Sequence, residues 1–353
     1  MFAEFKGSAL AAGIIACVVA LVVTPWVKQL AFRSGAIAKP DARRQHPEPI
    51  PQWGGLAIFL GVTVAALFWR QPSMTDLKFL NVRSLHLTTF FIGCGLLMLI
   101  LGMVDDRFEL KPIFKFGGQI AITFVLWYGH VRVNSMPFTQ GLETLPDWES
   151  LSLTMLWVLG ITNALNLIDG VDGLASGVAA IAAGSLCLIE QMQGATWAAA
   201  AAAAICGASL GFLRYNFNPA KIFLGDAGSL LLGFWLAAIG VAASAKAAEA
   251  TTLALPMLVL GVPLFDTAWA VVRRTLAGQP PWRADRGHLH HRLLASGLSA
   301  RQTVYVIYAI CLLLGFAAWA CVHHTESSNR ARIESPHVGA SIPSAFSTRL
   351  ALR

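Results

Sequence analysis

Long apolar runs separated by short polar segments make up most of this chain. A helix needs about 20 mostly apolar residues to cross the hydrocarbon core of a bilayer. Ten segments meet or approach this length, at residues 8–28, 53–69, 86–104, 113–129, 151–168, 174–191, 196–213, 229–245, 251–272 and 303–322. Some are short, notably 113–129, which leaves a half-buried or broken helix open there. The pattern predicts an all-α, polytopic membrane protein of about ten transmembrane helices in a single domain, residues 1–322.

The two ends of the chain differ in character. The apolar run from Gly7 to Val27 is too long for the core of a signal peptide and lacks a small-residue cleavage site, so we expect a membrane span. Residues 323–353 are polar and rich in serine and show no periodicity, which predicts a disordered tail. Between these ends, the alanine run Ala198–Ala204 predicts a closely packed face between helices.

Composition excludes several classes of protein. Hydrophobic residues make up 56% of the chain and charged residues only 13%, which is too apolar for an ordinary soluble domain. The net charge of +7 does not indicate nucleic-acid binding, because the lysines and arginines lie between apolar runs and form no patch with interleaved aromatics. The six cysteines lie within or beside apolar runs and have no paired spacing, so neither disulfides nor cysteine metal sites are expected.

Charge differs between the two sets of loops that ten spans create. Loops on one side carry most of the lysine and arginine, which predicts that this side is cytoplasmic and that both termini lie outside. The clusters that could carry chemistry fall on the same side: Lys39 to Gly55, Asp105 to Arg107, Asn163 to Gly173, Arg214 to Ser229 and Arg283 to Arg292. Topology requires basic residues but not aspartates or histidines, so these loops are predicted to form an active site.

Acidic residues lie at the predicted ends of three spans. They are Asp105 and Asp106 after the third, Asp169 and Asp172 after the fifth, and Asp226 before the eighth. Carboxylates at the end of a membrane helix are costly unless they are paired or bind a cation. Hard oxygen ligands suit Mg2+, or Mn2+ in its place. Solvated helix ends are the alternative for any one acid alone.

Two asparagines precede these acids on the fifth span. Asn163 and Asn166 are i, i+3 neighbours on a helix and can donate to a phosphate or a base. Hydrogen bonding between helices is an equally good explanation.

Two loops are candidates for binding phosphate. The proline-rich loop contains Arg43 and His46, and its prolines predict a rigid, non-helical cover. The last loop of the cytoplasmic side contains Arg286, His288, His290 and His291, which suit a diphosphate better than zinc. Positive-inside topology or an interfacial polar loop are the alternatives. Asp266, within the ninth predicted span, is either functional or paired with a neighbouring cation.

Taken together, these motifs resemble the polyprenyl-phosphate N-acetylhexosamine-1-phosphate transferase family, glycosyltransferase family 4. The resemblance extends from Pro40 to about Leu298. It rests on the proline-rich loop ending in Gly54-Gly55, Asp105-Asp106, Asn163-x-x-Asn166-x-x-Asp169-Gly-x-Asp172-Gly-Leu, Phe223-Leu-Gly-Asp226-x-Gly-Ser and His288-x-His290-His291. The histidine motif is more like the undecaprenyl-phosphate GlcNAc-1-phosphate branch than the branch that transfers phospho-MurNAc-pentapeptide.

The resemblance implies a function and a location. Members move a sugar 1-phosphate, here expected to be GlcNAc 1-phosphate, from a UDP-sugar to undecaprenyl phosphate and release UMP. The product begins a lipid-linked cell-surface glycan such as O-antigen, lipopolysaccharide or another wall polysaccharide. We therefore expect a multi-pass protein of the bacterial inner membrane that depends on Mg2+. A homodimer is left open.

Residue roles also follow from the resemblance. Asp105, Asp106 and Asp169 are the expected catalytic residues, and Asp226, Asp169 and Asp106 the expected metal ligands. The expected substrate-binding residues are Asn163, Asn166, Asp172, Asn216, Phe223, Arg286, His288, His290, His291, Arg43 and His46. Direct attack by the lipid phosphate is preferred, and a two-step route through a phosphorylated Asp105 or Asp106 stays open.

The chain departs from the family pattern at the proline-rich loop and after the histidines. Ala38 stands where an acid is common, Asp41 where asparagine is common, and one predicted span follows the histidines where some relatives have two.

Three other functions compete with the transferase. A secondary transporter would explain acids at helix ends, but it predicts repeated halves, which the sequence lacks. A CDP-alcohol phosphotransferase would use Asp169 and Asp172, but its expected Ala-Arg falls on Ser176-Gly177. An intramembrane aspartyl protease would use Asp226, but this chain lacks the glycine pattern that usually precedes the aspartate of such proteases.

Overall fold

The computed structural model describes residues 2–38, 49–69, 82–134, 145–244, 253–280 and 287–334. In these ranges the chain forms helices and one two-stranded ladder. The elements are α1 (Phe2–Arg33), β1 (Ile37–Ala38), β2 (Ile50–Pro51), α2 (Gly54–Trp69), α3 (Val82–Phe108), α4 (Pro112–Tyr128), α5 (Asp147–Ile168), α6 (Leu174–Met192), α7 (Thr196–Asn216), α8 (Gly225–Ser244), α9 (Ala254–Val259), α10 (Gly261–Leu276), α11 (Leu289–Ala295) and α12 (Ala300–Glu334).

Nine of the ten predicted spans each coincide with one of these helices. Seven described helices, α1, α3, α5, α6, α7, α8 and α12, are long and apolar enough to cross a membrane. Helices α2 and α4 match two more predicted spans, but contain only 16 and 17 residues. The all-α, multi-pass membrane architecture is therefore confirmed, with α4 as short as the sequence suggested.

The ninth predicted span, 251–272, is not one continuous helix. Within its described part, α9 ends at Val259 and α10 begins at Gly261. Pro263 explains the break, because a proline has no N–H to donate and its ring collides with the carbonyl four residues earlier. That carbonyl belongs to Val259, the last residue of α9. The described part of the predicted span is therefore two helices instead of one.

Helix α8 forms the centre of the bundle. Of the residues in its apolar stretch Gly225–Ala242, 94% are buried, whereas the share in the apolar stretches of α1 and α12 is only 28%. Trp235 stacks between Phe59 of α2 and Phe91 of α3, with ring centroids 5.8 and 5.1 Å away, and donates its indole N–H to the Phe91 carbonyl. A helix apolar on all sides belongs in such a core.

The alanine run of α7 packs as expected. Ala198–Ala204 are all at most 8% exposed, and a Cβ placed on Gly207 would lie 1.9 Å from the Gly13 carbonyl oxygen of α1. Small side chains let these two helix backbones approach closely. The predicted interhelical face is confirmed.

The loops that carry the motifs meet at one end of the bundle. The Arg107 side chain in the last turn of α3 donates to the Ser34 carbonyl just after α1, over 2.8 Å. The N–H of Gly54, the first residue of α2, donates to the Phe223 carbonyl just before α8, over 3.1 Å. These contacts join the end of α1 to the end of α3, and the start of α2 to the start of α8, as the predicted convergence on one end requires.

Two predicted polar segments are described only in part. The proline-rich loop is closed at its base by antiparallel pairing of β1 with β2, which places Ile37 opposite Pro51. Its middle, residues 39–48, lies outside the described residues. Helix α12 continues to Glu334, so residues 323–334 are helical, although the disordered tail was predicted to begin at 323. Alanine, arginine and glutamate near its end favour helix. Residues 335–353 lie outside the described part, and their disorder stays a prediction.

Candidate active site

The first turn of α8 is held by an acid from another helix. Gly225 has φ +71°, which lets the chain turn sharply into α8. The Asp106 carboxylate then accepts the backbone N–H groups of Asp226 and Ala227, at 2.8 and 3.1 Å. N–H groups in the first turn of a helix have no partner within that helix. Asp106 therefore caps α8 and fixes the position of Asp226.

This contact depends on close approach between helices. A Cβ on Gly102 of α3 would lie 2.4 Å from the Asp226 carbonyl oxygen, and one on Gly55 of α2 would lie 2.4 Å from the Ala227 carbonyl carbon. Real Cβ atoms do not approach other atoms so closely. Glycine at these two positions brings α2 and α3 against the first turn of α8.

The Asp226 carboxylate is bound on both oxygens. Asn166 of α5 donates its amide to Asp226 Oδ1 over 2.9 Å, and to Ser229 Oγ over 2.8 Å. Lys115 of α4 forms an ion pair with Asp226 Oδ2. Because 29% of the Asp226 side chain is exposed, it also faces solvent beyond these partners.

Lys115 joins two of the predicted acids. Its ammonium lies 2.9 Å from Asp105 Oδ2, in addition to its contact with Asp226. The remaining Asp105 oxygen accepts the Leu110 N–H at 2.8 Å. Lys115 was not among the predicted site residues. One signal was available, because Lys115 and Gln119 lie one turn apart on an otherwise apolar helix.

A polar cavity opens beside Asp226, with a volume of about 450 Å³. Six predicted site residues line it: Asp169, Asp172, Asn216, Phe223, Asp226 and His291. Gln52, Asn218, Leu294 and Ala300 also line it and were missed. Gln52 and Asn218 lie within two of the predicted clusters, residues 39–55 and 214–229, and their amides were the local signal.

Asp172 and Asn216 shape one wall of this cavity. Asp172 accepts the Asn218 amide at 3.2 Å and the Ala220 N–H at 3.0 Å. Asn216, only 3% exposed, accepts the Ser176 hydroxyl at 2.6 Å and donates to the Ile222 carbonyl over 3.0 Å. Both side chains thus organise the loop between α7 and α8 as well as lining the cavity.

Asn163 is engaged between helices. Its amide donates to Gln119 Oε1 of α4 over 2.7 Å and to the Leu159 carbonyl over 2.8 Å. It is not among the residues that line the cavity. These contacts match the interhelical alternative considered from sequence.

The histidine segment, residues 287–291, lies between α10 and the cavity. His288 and the Leu289 N–H both bind Asp266, at 2.9 and 2.8 Å. The His288 and His290 rings are parallel with centroids 6.0 Å apart, and the His290 and His291 centroids are 4.2 Å apart. Three histidines thus follow each other toward the cavity, where His291 forms part of the wall.

His290 is held neutral. It is 2% exposed, and its Nε2 has no hydrogen-bond partner among the described residues. Burial, followed by the neighbouring His291 and His288, lowers the His290 pKa to about 4. Arg286, Arg43 and His46, the other predicted substrate contacts, lie outside the described residues.

Asp169 and Asp226 fit a divalent cation whose coordination shell is completed by water and substrate phosphates. Within the described ranges, no three His, Cys, Asp or Glu side chains converge as a preformed metal centre. Mg2+ needs no such cluster, because one or two carboxylates with water and substrate phosphates complete its shell. Asp169 and Asp226 line the same cavity, and Lys115 already places one positive charge against Asp226.

The chain is similar to known transferases. A family model for glycosyl transferase family 4 matches residues 88–244. A protein of Bacillus subtilis (strain 168), named as a probable undecaprenyl-phosphate N-acetylglucosaminyl 1-phosphate transferase, is 36% identical over 86% of this chain and 82% of its own length. The decaprenyl-phosphate N-acetylglucosaminephosphotransferase of Mycolicibacterium smegmatis is 38% identical, over 87% of this chain and 80% of its own. The undecaprenyl-phosphate alpha-N-acetylglucosaminyl 1-phosphate transferase of Escherichia coli (strain K12) is 25% identical, over 82% and 77%.

Proposed function

The chain belongs to glycosyl transferase family 4, and from that premise we propose that it transfers GlcNAc 1-phosphate from UDP-GlcNAc to undecaprenyl phosphate. The product would begin a lipid-linked cell-surface glycan, such as O-antigen, lipopolysaccharide or another wall polysaccharide. The observation that carries the proposal is the polar cavity, which brings together Asp169, Asp226 and His291 from three separate segments.

The cavity suits a nucleotide sugar as donor. Phe223 offers an aromatic face on which uracil can stack, while Asn216 and Asp172 offer an amide and a carboxylate for the base or ribose. The volume of about 450 Å³ lies within the range of roughly 300–1,000 Å³ for small-molecule sites. Donor binding in this cavity would leave the lipid acceptor to approach from the bilayer.

We propose a direct transfer. An oxygen of undecaprenyl phosphate attacks the sugar-bearing phosphorus of UDP-GlcNAc and forms a new P–O bond. The bond from that phosphorus to the UMP oxygen breaks, and UMP leaves with the electron pair. Phosphoryl transfers of this kind depend mainly on positioning and charge neutralisation. Lys115, next to Asp105, would orient the incoming phosphate, and the histidine segment would hold the diphosphate.

Contacts of the adjacent acids support the direct route. Asp105 accepts the Leu110 N–H and pairs with Lys115, while Asp106 accepts two backbone N–H groups of α8. A carboxylate that accepts several hydrogen bonds is stabilised as the anion and is a weaker nucleophile. Absence of a trapped phospho-aspartate at low temperature would further support this order.

We propose Mg2+ as the metal, with Mn2+ as a substitute. Asp226 and Asp169 would hold it, and Asp106 would support Asp226 through the first turn of α8. When bound, the cation would neutralise charge on the phosphate oxygens. Lys115 would share this work from the Asp226 side opposite Asn166.

We also propose that the site faces the cytoplasm of a bacterium, in its inner membrane. The loops at the site end of the bundle carry most of the lysine and arginine, as the positive-inside rule requires. UDP-sugars would then reach the cavity from the compartment where they are made. A homodimer stays a prediction, which the mass of the protein–detergent complex would test.

The testing experiment measures UMP release by detergent-purified protein. Undecaprenyl phosphate and Mg2+ are supplied with UDP-GlcNAc, or with UDP-GalNAc in a parallel arm. UMP is expected from UDP-GlcNAc, and Asp226→Asn should abolish it. Asp147→Asn is the matched control, because Asp147 pairs with Arg132 at the other end of α5 and is 75% exposed.

Each outcome has a separate meaning. No UMP from any UDP-sugar in a folded sample would overturn the transferase proposal. Activity that survives complete chelation would overturn only the Mg2+ proposal. Preference for UDP-GalNAc would correct the sugar and leave the reaction class intact.

A further inference from the structure

Asp266 is a buried acid on α10 with two partners in the histidine segment. It is 6% exposed, and each of its oxygens accepts one N–H from that segment. We propose that Asp266 is a positioning residue that sets the tautomer of His288 and holds the histidine segment against the donor cavity. This inference rests on the proposed function, because it assigns the segment to donor binding.

Helix α10 is built to hold this segment. Asp266 and Arg273 are seven residues apart, so they lie on the same face two turns apart. A Cβ on Gly287 would lie 2.3 Å from the Arg273 guanidinium, so this guanidinium lies directly against the Gly287 backbone. The histidine segment therefore contacts α10 at two successive residues: Gly287 lies against Arg273, and His288 binds Asp266.

The contact with Asp266 determines which His288 nitrogen carries the proton. An ionised carboxylate only accepts hydrogen bonds, so His288 Nδ1 must be the donor over the 2.9 Å contact. In a neutral ring, Nε2 is then a lone-pair acceptor. In this state Nε2 cannot donate a hydrogen bond to a phosphate, and His288, 4% exposed, is not among the residues that line the cavity. His288 would therefore act on the nucleotide-sugar donor by fixing the position of the histidine segment.

The same contact transmits position to the cavity. Asp266 also accepts the Leu289 N–H at the start of α11, so it fixes the direction in which this short helix begins. His290 then packs against Gly170, where a Cβ would lie 2.5 Å from His290 Nε2. Gly170 follows Asp169, and His291 lines the cavity next to it. A shift of Asp266 would therefore move His290 and His291 at the cavity proposed to bind the nucleotide sugar.

A purely structural role for Asp266 predicts different behaviour. A buried aspartate that only anchors a loop would lower stability when replaced, and would change acceptor and donor kinetics alike. A positioning role predicts a selective loss for the donor and dependence on His288. The two explanations can therefore be separated by kinetics and by the state of the His288 ring.

Asp266→Asn is the informative variant, since it keeps the size and one acceptor oxygen. If that oxygen retains the Leu289 N–H, the amide N–H2 faces His288 Nδ1, which must become an acceptor. We expect kcat/KM for UDP-GlcNAc to fall by about 10–100-fold, as for other partners that orient a functional histidine. KM for undecaprenyl phosphate should change less than about twofold. Asp266→Glu, which keeps the carboxylate, should recover part of the loss, and Asp147→Asn should match the wild type.

A double-mutant cycle tests whether Asp266 acts through His288. Once His288→Gln is present, adding Asp266→Asn should lower kcat/KM by less than about twofold, because coupled residues are not additive. Independent losses that multiply would overturn the proposal. So would a normal donor kcat/KM in folded Asp266→Asn protein, or equal losses for donor and acceptor.

A second measurement does not depend on turnover. In ¹⁵N-histidine-labelled protein, the His288 signal, assigned by its loss in His288→Gln, should show a proton on Nδ1 in the wild type and on Nε2 in Asp266→Asn. An unchanged tautomer would overturn the inference. Suppose that the wild type released no UMP, but that the His288 proton still moved from Nδ1 in the wild type to Nε2 in Asp266→Asn. The proposed function would then fail, and the positioning of His288 by Asp266 would stand.

Discussion

The Asp106 carboxylate accepts the backbone N–H of Asp226 at 2.8 Å, which joins the end of α3 to the first turn of α8. Its neighbour Asp105 instead pairs with Lys115 at 2.9 Å. Two adjacent acids of one motif therefore do different work. Asp106 holds the helix that carries Asp226, whereas Asp105 belongs to a charge cluster at its side.

Substitution of these two acids should separate their roles. In Asp106→Asn one of the two N–H acceptors becomes a donor, so a helix N–H loses its partner and unfolding should become easier by roughly 1–3 kcal/mol. Asp105→Asn keeps an oxygen for the Leu110 N–H and should be less destabilised. Thermal unfolding in detergent measures both. Equal stability losses would contradict the capping role of Asp106.

Lys115 should compete with the divalent cation at Asp226. Lys115→Met removes the ammonium that pairs with Asp226 and Asp105, so the carboxylates should bind Mg2+ more readily. We expect half-maximal activity at lower Mg2+, with kcat reduced at least about tenfold because charge stabilisation of the phosphates is lost. Lys111→Met, an exposed cation four residues earlier, is the control. A higher Mg2+ requirement in Lys115→Met would contradict the competition.

Gly170→Ala should disturb the histidine segment. The added Cβ would lie 2.5 Å from His290 Nε2, so either the turn after α5 or α11 must move. We expect UMP release to fall by about tenfold or more, because small displacements of positioned groups slow catalysis strongly. Gly160→Ala on α5 meets no atom within 4 Å and should keep wild-type activity. Normal activity in Gly170→Ala would show that the segment can shift without consequence.

The sequence predicted the helices well because each span carries its own apolar run. It also predicted that the acids and histidines gather at one end, since alternate loops must lie on the same side. It missed the break after Val259, because a proline near the start of a helix can be tolerated. Only the fold shows that a new helix, α10, begins at Gly261, two residues before Pro263.

Pairings between distant residues could not be predicted in the same way. Lys115 and Asp226 are 111 residues apart, and the polar spacing of Lys115 and Gln119 on α4 does not show which acid Lys115 would meet. Asn163 and Asn166 look equivalent in sequence, yet one turns toward Gln119 and the other toward Asp226. Rotation of α5 in the bundle decides this difference, and rotation depends on packing with every neighbouring helix.

The Asn163–Gln119 pair should contribute to stability and little to catalysis. Gln119 is 1% exposed and bonds Asn163 in both directions, at 2.7 and 3.4 Å. Removing one partner leaves a buried amide unsatisfied, whereas removing both can be nearly neutral. Asn163→Leu alone should therefore unfold more easily than Asn163→Leu with Gln119→Leu, and the double variant should release UMP normally. Loss of activity in a stable double variant would restore Asn163 as a substrate contact.

His290 should make the protein less stable in mild acid. Its pKa is lowered from 6.5 to about 4 by burial and by the neighbouring histidines, so the folded protein keeps it neutral. Below pH 6.5 the unfolded chain binds a proton that the folded protein does not, and stability falls until the pH reaches about 4. The full loss is on the order of 3 kcal/mol, from about 1.4 kcal/mol for each pKa unit. Thermal midpoints at pH 7.5 and 4.5 should therefore differ more for the wild type than for His290→Gln. Parallel pH dependence of the two proteins would show that His290 becomes protonated without opposing the fold.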